Sequence, residues 1–199
     1  INDLLRVYGE KAKLQKEIEK LSSEGALQFH GMVGTSDVMQ EVFRKIENVA
    51  DTDASVLIEG ESGTGKELAA RAIHELSARS EKEMVVLSCA ASPENLIEDE
   101  LFGHEPGAYT GAVKRKQGKF ERADGSTLFI DDIDDMSLNT QAKLVRVLQE
   151  KRFERLGGTE LIDTDFRIIT ASKRNLKKLV EENEFREDLF FRLNIIRIK

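Results

Sequence analysis

Apolar and polar positions follow two rhythms along the chain. Over residues 1–24, Leu4, Val7, Leu14, Ile18 and Leu21, with Lys11 among them, are spaced three and four apart. That is a heptad seam, and it predicts a helix with one narrow apolar stripe. Lys11 in the seam weakens it while helping to set its register. The surrounding charges balance, five basic against five acidic. Two readings of this helix stay open: a dimerising coiled-coil linker from an upstream domain, or an amphipathic helix lying on its own domain. Ser22, Ser23, Glu24 and Gly25 end it.

From residue 25 the rhythm changes to short apolar runs. VLIEG (56–60), MVVLSC (84–89), TLFIDD (127–132), FRIITA (166–171) and LNIIRI (193–198) each have the length of a strand. Strands buried on both faces read as continuous apolar runs of this kind. Helical stretches separate them, at 66–78 and at QAKLVRVLQE (141–150). The alternation predicts an α/β fold, a five-stranded parallel sheet flanked by helices, over residues 25–199. Ligands of such sheets sit beyond the carboxyl ends of the strands.

Composition narrows the function classes. Thirty Lys and Arg against 37 Asp and Glu leave a net charge of −7. A module devoted to nucleic acid is usually basic. DNA binding is therefore expected only from a segment outside this chain. The single cysteine, Cys89, excludes an intrachain disulfide and a cysteine-built zinc site, which fits a reducing cytoplasm. No apolar run approaches the ~18 residues of a membrane span. The chain begins at Ile1 and ends inside an apolar run, so it reads as a piece of a longer protein.

Two motifs carry chemistry. GESGTGKE (Gly60, Glu61, Ser62, Gly63, Thr64, Gly65, Lys66, Glu67) follows a strand and opens a helix. This is the P-loop spacing. Glycines let backbone N–H groups turn inward around phosphate oxygens, and the helix adds its positive end. Lys66 brings a point charge to the terminal phosphates. Glu67 stands where a hydroxyl usually serves Mg²⁺. The second motif, TLFIDD, ends in Asp131 and Asp132 and resembles a Walker B strand. Asp131 would hold Mg²⁺ through water, and Asp132 would polarise the attacking water. The bland alternative is a solvated acidic turn, since Asp134 and Asp135 follow.

GESGTGKE (60–67), ELFGHEPGAYTGA (100–112), GTELIDTDFRIITAS (158–172) and FREDLFFRLN (185–194) together resemble the AAA+ domain of sigma-54-dependent transcriptional activators. These are the NtrC class of bacterial enhancer-binding proteins. The resemblance covers about residues 29–199. It implies an oligomeric ATPase, a hexamer or heptamer, with ATP and Mg²⁺ bound between subunits. It implies a loop, Gly107, Ala108, Tyr109, Thr110, Gly111 and Ala112, that contacts sigma-54 in RNA polymerase and remodels the closed promoter complex. Arg186 and Arg192 match a pair of arginine fingers that reach a neighbour's nucleotide. Val33 and Gly34 match a turn near the adenine. A sensory domain would lie upstream, a DNA-binding domain downstream, and the helical lid would follow the sheet.

The sequence departs from that pattern around the chemistry. Asp132 replaces Glu, Ser88 replaces the Asn that restrains it, and Lys173 replaces a polar first-sensor residue. Tyr109 replaces Phe, and Pro106 stiffens the loop's root. Ser88 and Asp132, expected to touch, form either a compensated pair or a decayed one. The departures leave an alternative, a regulator that binds nucleotide to control oligomerisation without productive hydrolysis. The basic cluster Lys114, Arg115, Lys116 and Lys119 either faces an acidic partner or DNA, or is a solvated face. Arg186 and Arg192 also sit among Glu184, Glu187 and Asp188, where local ion pairs are the bland reading.

Overall fold

The structure is a computed structural model that describes residues 28–90 and 93–199. The heptad helix expected over residues 1–24 lies outside the described residues. A small hairpin comes first, β1 (Gln28–Phe29) and β2 (Met32–Val33). Helix α1 (Asp37–Ala50) follows, capped by the Ser36 hydroxyl, which accepts the Met39 amide. Its other end is finished from outside the helix. The buried Arg167 guanidinium donates to the Val49 and Ala50 carbonyls, each at 2.8 Å. A cation suits the negative end of a helix.

The chain then runs through β3 (Val56–Glu59), α2 (Lys66–Glu75), β4 (Val85–Ser88) and α3 (Glu94–Phe102). A second hairpin, β5 (Gly103–His104) and β6 (Lys116–Gln117), brackets a long loop and leads to α4 (Lys119–Arg122). Next come β7 (Thr127–Asp131), a 3-10 turn (Ile133–Asp135) and α5 (Leu138–Glu150). A third hairpin, β8 (Arg152–Glu154) and β9 (Leu161–Asp163), precedes β10 (Arg167–Ser172). Helices α6 (Leu176–Glu181) and α7 (Glu187–Leu193) and strand β11 (Ile196–Ile198) complete it.

Five strands form one parallel sheet in the order β11-β3-β10-β7-β4. Successive residues of a strand point to opposite faces, and both faces are covered. Val56, Ile58, Phe129, Ile169 and Ala171 pack with Ile46 and Ile73 into one core. Leu57, Leu128, Ile130 and Ile168 pack with Leu101, Phe120 and Leu144 into another. From β3 the chain crosses to the far edge at β4 and works back through β7 to β10. This reversal makes a switch point at the carboxyl ends of β3, β10 and β7, the position where such sheets bind ligands.

All five expected strands are present, with shifted ends. The helix expected over 66–78 stops at Glu75. There the Ser77 hydroxyl donates to the His74 carbonyl at 2.7 Å and accepts the Arg79 amide at 3.2 Å, turning the chain. The helix expected at 141–150 begins at Leu138, because Ser137 caps it. The LNIIRI run is divided: Leu193 ends α7, and only Ile196–Ile198 is strand. No helix among the described residues is long and apolar enough to cross a membrane.

Candidate nucleotide site and surface loop

The phosphate loop joins β3 to α2. Gly63 and Gly65 hold φ of +80° and +89°, a region that costs an ordinary L residue about 1–2 kcal/mol. Thr64 donates its hydroxyl to the Glu61 carbonyl at 2.8 Å. The Lys66 ammonium donates to the Gly60 and Glu61 carbonyls, both at 2.9 Å. It therefore lies across the mouth of its own loop. Glu67 accepts from Arg71 at 2.6 and 3.1 Å and is engaged along the helix. The β1–β2 hairpin packs beside that helix, since a β-carbon on Gly31 would sit 3.6 Å from Leu68. Val33 ends the hairpin partly exposed, and the Gly34 carbonyl accepts from Gln40 Nε2 at 3.0 Å.

Four carboxylates stand within residues 131–135, at the end of β7. Two unit charges about 5 Å apart repel by roughly 3 kcal/mol at an effective dielectric near 20. Cations from the end of β10 divide this load. Asp134, its side chain wholly buried, accepts from Ser172 Oγ at 3.0 Å, the Lys173 amide at 3.3 Å and Arg174 Nε at 2.9 Å. Lys173 Nζ donates to Asp135 at 2.7 Å and lies 3.7 Å from Asp132 Oδ1. The hydrogen bond to Asp135 leads in holding Lys173 above the ordinary lysine range, and the charges of Asp132 and Asp134 add to it.

Asp131 has fewer partners. Its Oδ1 accepts the Asp132 amide at 2.9 Å. Burial pushes its carboxyl up, and the charges of Asp132 and Glu67 add to the push; the Asp132 amide and the Lys66 charge oppose it. An acid so placed is favourable ground for a cation. Among the described residues no three His, Cys, Asp or Glu side chains form a ready-made metal cage. Mg²⁺ does not need one, since it takes one or two carboxylates plus phosphate oxygens and water. Asp131 fits that role.

Asp132 sits at φ +49°, ψ +45°. Aspartate is one of the few L residues that occupy this region readily, which gives a backbone reason for the shorter acid. No hydrogen bond joins Ser88 to Asp132 among the described residues. Ser88 lies opposite Asp131 in the sheet register, its hydroxyl accepts the Ala90 amide at 3.4 Å, and the charged neighbour of Asp132 is Lys173.

The loop 107–112 closes on itself. The Gly107 amide donates to the Ala112 carbonyl at 2.8 Å, and the Ala112 amide to the Tyr109 carbonyl at 3.0 Å. Gly107 and Gly111 turn it with φ of +85° and +105°. At its root β5 and β6 cross so closely that a β-carbon on Gly103 or Gly118 would collide with the opposing backbone. Tyr109 is 48% exposed, as a contact residue requires, while Thr110 and Gly111 are open to solvent. The Tyr109 hydroxyl nevertheless reaches inward. It donates to Asp99 Oδ1 at 3.4 Å, and its ring meets His104 edge-on, 5.1 Å between centroids. Asp99 also accepts from His104 Nδ1 at 2.5 Å and Lys116 Nζ at 2.8 Å. Burial pushes the Asp99 carboxyl up, but these hydrogen bonds outweigh it and hold it below the usual range. Glu105, where the loop departs, is tied to buried Arg155 at 2.8 Å, and Arg155 grips Glu121 with two further bonds.

The basic cluster is largely consumed within the chain. Lys116 pairs with Asp99 and Glu100, Lys119 with Glu100, and Arg115 with Glu105 and Glu121. Arg186 precedes α7 and donates to Asp188 at 2.7 and 3.0 Å, so the local ion pair is formed. Arg192, on the last turn of α7, lines a groove with Asp53, Asp188 and Phe191. No bond joins either arginine to Lys66, Asp131 or Asp132 among the described residues. Sequence reasoning passed over Asp134, Arg174, Asp99 and His104. The available signal was charge arithmetic: four adjacent acids need cations, and Lys173–Arg174 follows the next strand of the sheet.

Residues 32–199 match the family of the sigma-54 interaction domain. The chain belongs to that family. It is the AAA+ domain found in bacterial enhancer-binding proteins. The sigma-54 interaction domain here is 50% identical over 193 residues to the formate hydrogenlyase transcriptional activator FhlA of Escherichia coli, covering 97% of this chain and 27% of that protein. It is 48% identical over 200 residues to the Nif-specific regulatory protein of Azotobacter vinelandii, covering 100% and 37%. The chain thus spans well under half the length of these relatives. NtrX from Brucella abortus, solved in complex with ATP, superposes with a TM-score of 0.78 at 39% identity, over 95% of this chain and 42% of that one. The α/β sheet flanked by helices is shared with it.

Proposed function

We propose that this domain hydrolyses ATP and uses the cycle to act on sigma-54 RNA polymerase through its 107–112 loop. The observation that carries the reading is that the phosphate loop after β3 and Asp131 at the end of β7 share the carboxyl edge of the sheet, one strand apart, with the Lys66 charge opposing the upward push on the Asp131 carboxyl. Gly60, Glu61, Ser62, Gly63, Thr64, Gly65, Lys66 and Glu67 would line the phosphates, with Val33 and Gly34 on the adenine side. Mg²⁺ held at Asp131 through water would neutralise charge on the transferring phosphoryl group. Asp132 would orient the water that attacks the γ-phosphorus. The bond from that phosphorus to the ADP oxygen breaks, and the water's proton passes to the carboxylate and then to solvent. Arg186 and Arg192 would enter from a neighbouring subunit of a hexamer or heptamer, Arg186 leaving Asp188 to do so. Ser88 and Lys173 hold the switch and sensor positions. Dimerisation through residues 1–24 and DNA binding through a downstream domain complete the proposal. The relatives' names, transcriptional activators and regulators, support it.

The full-length protein tests this by ATP turnover measured against protein concentration. Turnover per subunit should rise with concentration, because the arginines complete sites in trans, and Lys66→Ala should abolish it. An unchanged rate in Lys66→Ala would overturn the reading. Nucleotide-dependent capture of sigma-54 should disappear in Tyr109→Ala. Asp132 in place of the usual Glu, one methylene shorter, favours a second reading, nucleotide binding without productive hydrolysis. Tight ATP binding with turnover equal to Lys66→Ala would select it.

A further inference from the structure

The two cations at the end of β10 have separate duties. Arg174 serves Asp134 and, through Nη1, Glu184 at 3.0 Å. Lys173 instead faces the other side of the acid cluster. Its root is fixed, because its amide donates to the immobile Asp134 carboxylate. Its tip is fixed as well, because Nζ donates to Asp135 at 2.7 Å. Held at both ends, the ammonium group stands 3.7 Å from Asp132 Oδ1. That separation is an ion pair without a direct hydrogen bond. It restrains the carboxylate and leaves its lone pairs available to a water. Ser88, the residue expected to restrain Asp132, is bonded to Ala90 instead.

We propose that Lys173 is a positioning residue for ATP hydrolysis: anchored on Asp135, it restrains the Asp132 carboxylate beside the phosphate loop and so lets an aspartate serve where its shorter reach would leave it misplaced. The inference rests on the function proposed above. A misplacement of about 1 Å costs on the order of 100-fold in rate, and a restraint on a short side chain acts against that loss. Asp132 already leaves the strand in a left-handed turn, so its backbone is set and the side-chain torsions are what remains to be held.

The experiment is a double-mutant cycle in the full-length protein, reading kcat, KM for ATP and Kd for ADP. Lys173→Met should lower kcat roughly 10- to 100-fold, with KM for ATP and Kd for ADP within about twofold of wild type. Lys173→Arg, which keeps a cation, should recover most of the rate. Asp132→Asn should be slow, and adding Lys173→Met to it should cost nothing further, since no carboxylate is left to hold. The unchanged ADP affinity shows that the variants are folded. Three results overturn the inference alone while wild-type turnover persists: full kcat in Lys173→Met; a loss confined to KM, which would make Lys173 a phosphate ligand; or multiplicative losses in the double variant. Wild-type turnover no faster than Lys66→Ala overturns this inference together with the proposed function.

Discussion

At the carboxyl end of the sheet, Asp131 is an acid with too few partners; beneath the 107–112 loop, Asp99 has as many as it can use. Asp131 ends β7 partly buried, and Asp99 lies buried within α3. Asp99 accepts from a lysine, a histidine and a tyrosine, and its carboxyl is held low. Asp131 accepts one backbone amide at the head of a row of like charges, and its carboxyl is pushed up. Satisfied charge holds a structure in place, whereas unsatisfied charge waits for a ligand. The contrast separates an acid left open to a ligand from one braced within the fold.

The contrast breaks most visibly at Asp131. Asp131→Asn should cut ATP turnover on the order of 100- to 1,000-fold, and it should also stabilise the protein in denaturant melts at pH 7. A carboxyl raised by folding binds protons more readily in the folded state. Its charged form therefore weakens the fold above the raised value, and stability returns as pH falls through it. Removing the charge removes the penalty, the usual exchange of stability against activity.

Asp99→Ala should do the reverse. It leaves buried His104 without its carboxylate partner and half-buried Lys116 with Glu100 alone, which costs about 2–3 kcal/mol of unfolding free energy, read from the same melts. The sign of the pH dependence is opposite too. A depressed carboxyl stabilises the fold above its unfolded value, near 3.8, and loses that contribution as pH falls through the lower folded value. Asp99→Asn should therefore flatten the acid limb of the stability profile below about pH 4.

Tyr109→Phe is the mildest test. The hydroxyl makes one long bond to Asp99, so stability should change by less than about 1 kcal/mol. Freed from that bond, the loop should be cut faster in limited proteolysis, with no change at sites elsewhere.

How far the sequence could be read follows from these same residues. The sheet was legible because strands covered on both faces admit few polar residues, and VLIE and TLFI need no partner to be recognised. The phosphate loop was legible because its glycines answer to backbone geometry, local in sequence. The hairpins β5–β6 and β8–β9 were not legible. Two or three residues carry no periodicity, and Gly103 and Gly118 acquire their reason only when the strands cross. Side-chain pairings were the least accessible. The partners of Lys116 lie well upstream and those of Arg115 on both sides of it, and Lys173 meets Asp132 only because β10 lies beside β7. Ser88 was legible as a residue near Asp132, but the cation that tertiary placement sets 3.7 Å from it was not.

Cys89 follows β4, is 1% exposed, and donates its amide to the Asp131 carbonyl at 3.0 Å. Burial, and then the charges of Asp135, Asp132, Asp131 and Asp134, push its thiol up to about 12. At neutral pH such a thiol stays protonated, and the thiolate is the form that reacts. The chain therefore carries its own silent label, unique and seated at the rim of the site. An alkylating reagent will mark it only when the core packed around it opens, so the rate of labelling is a clock for that opening.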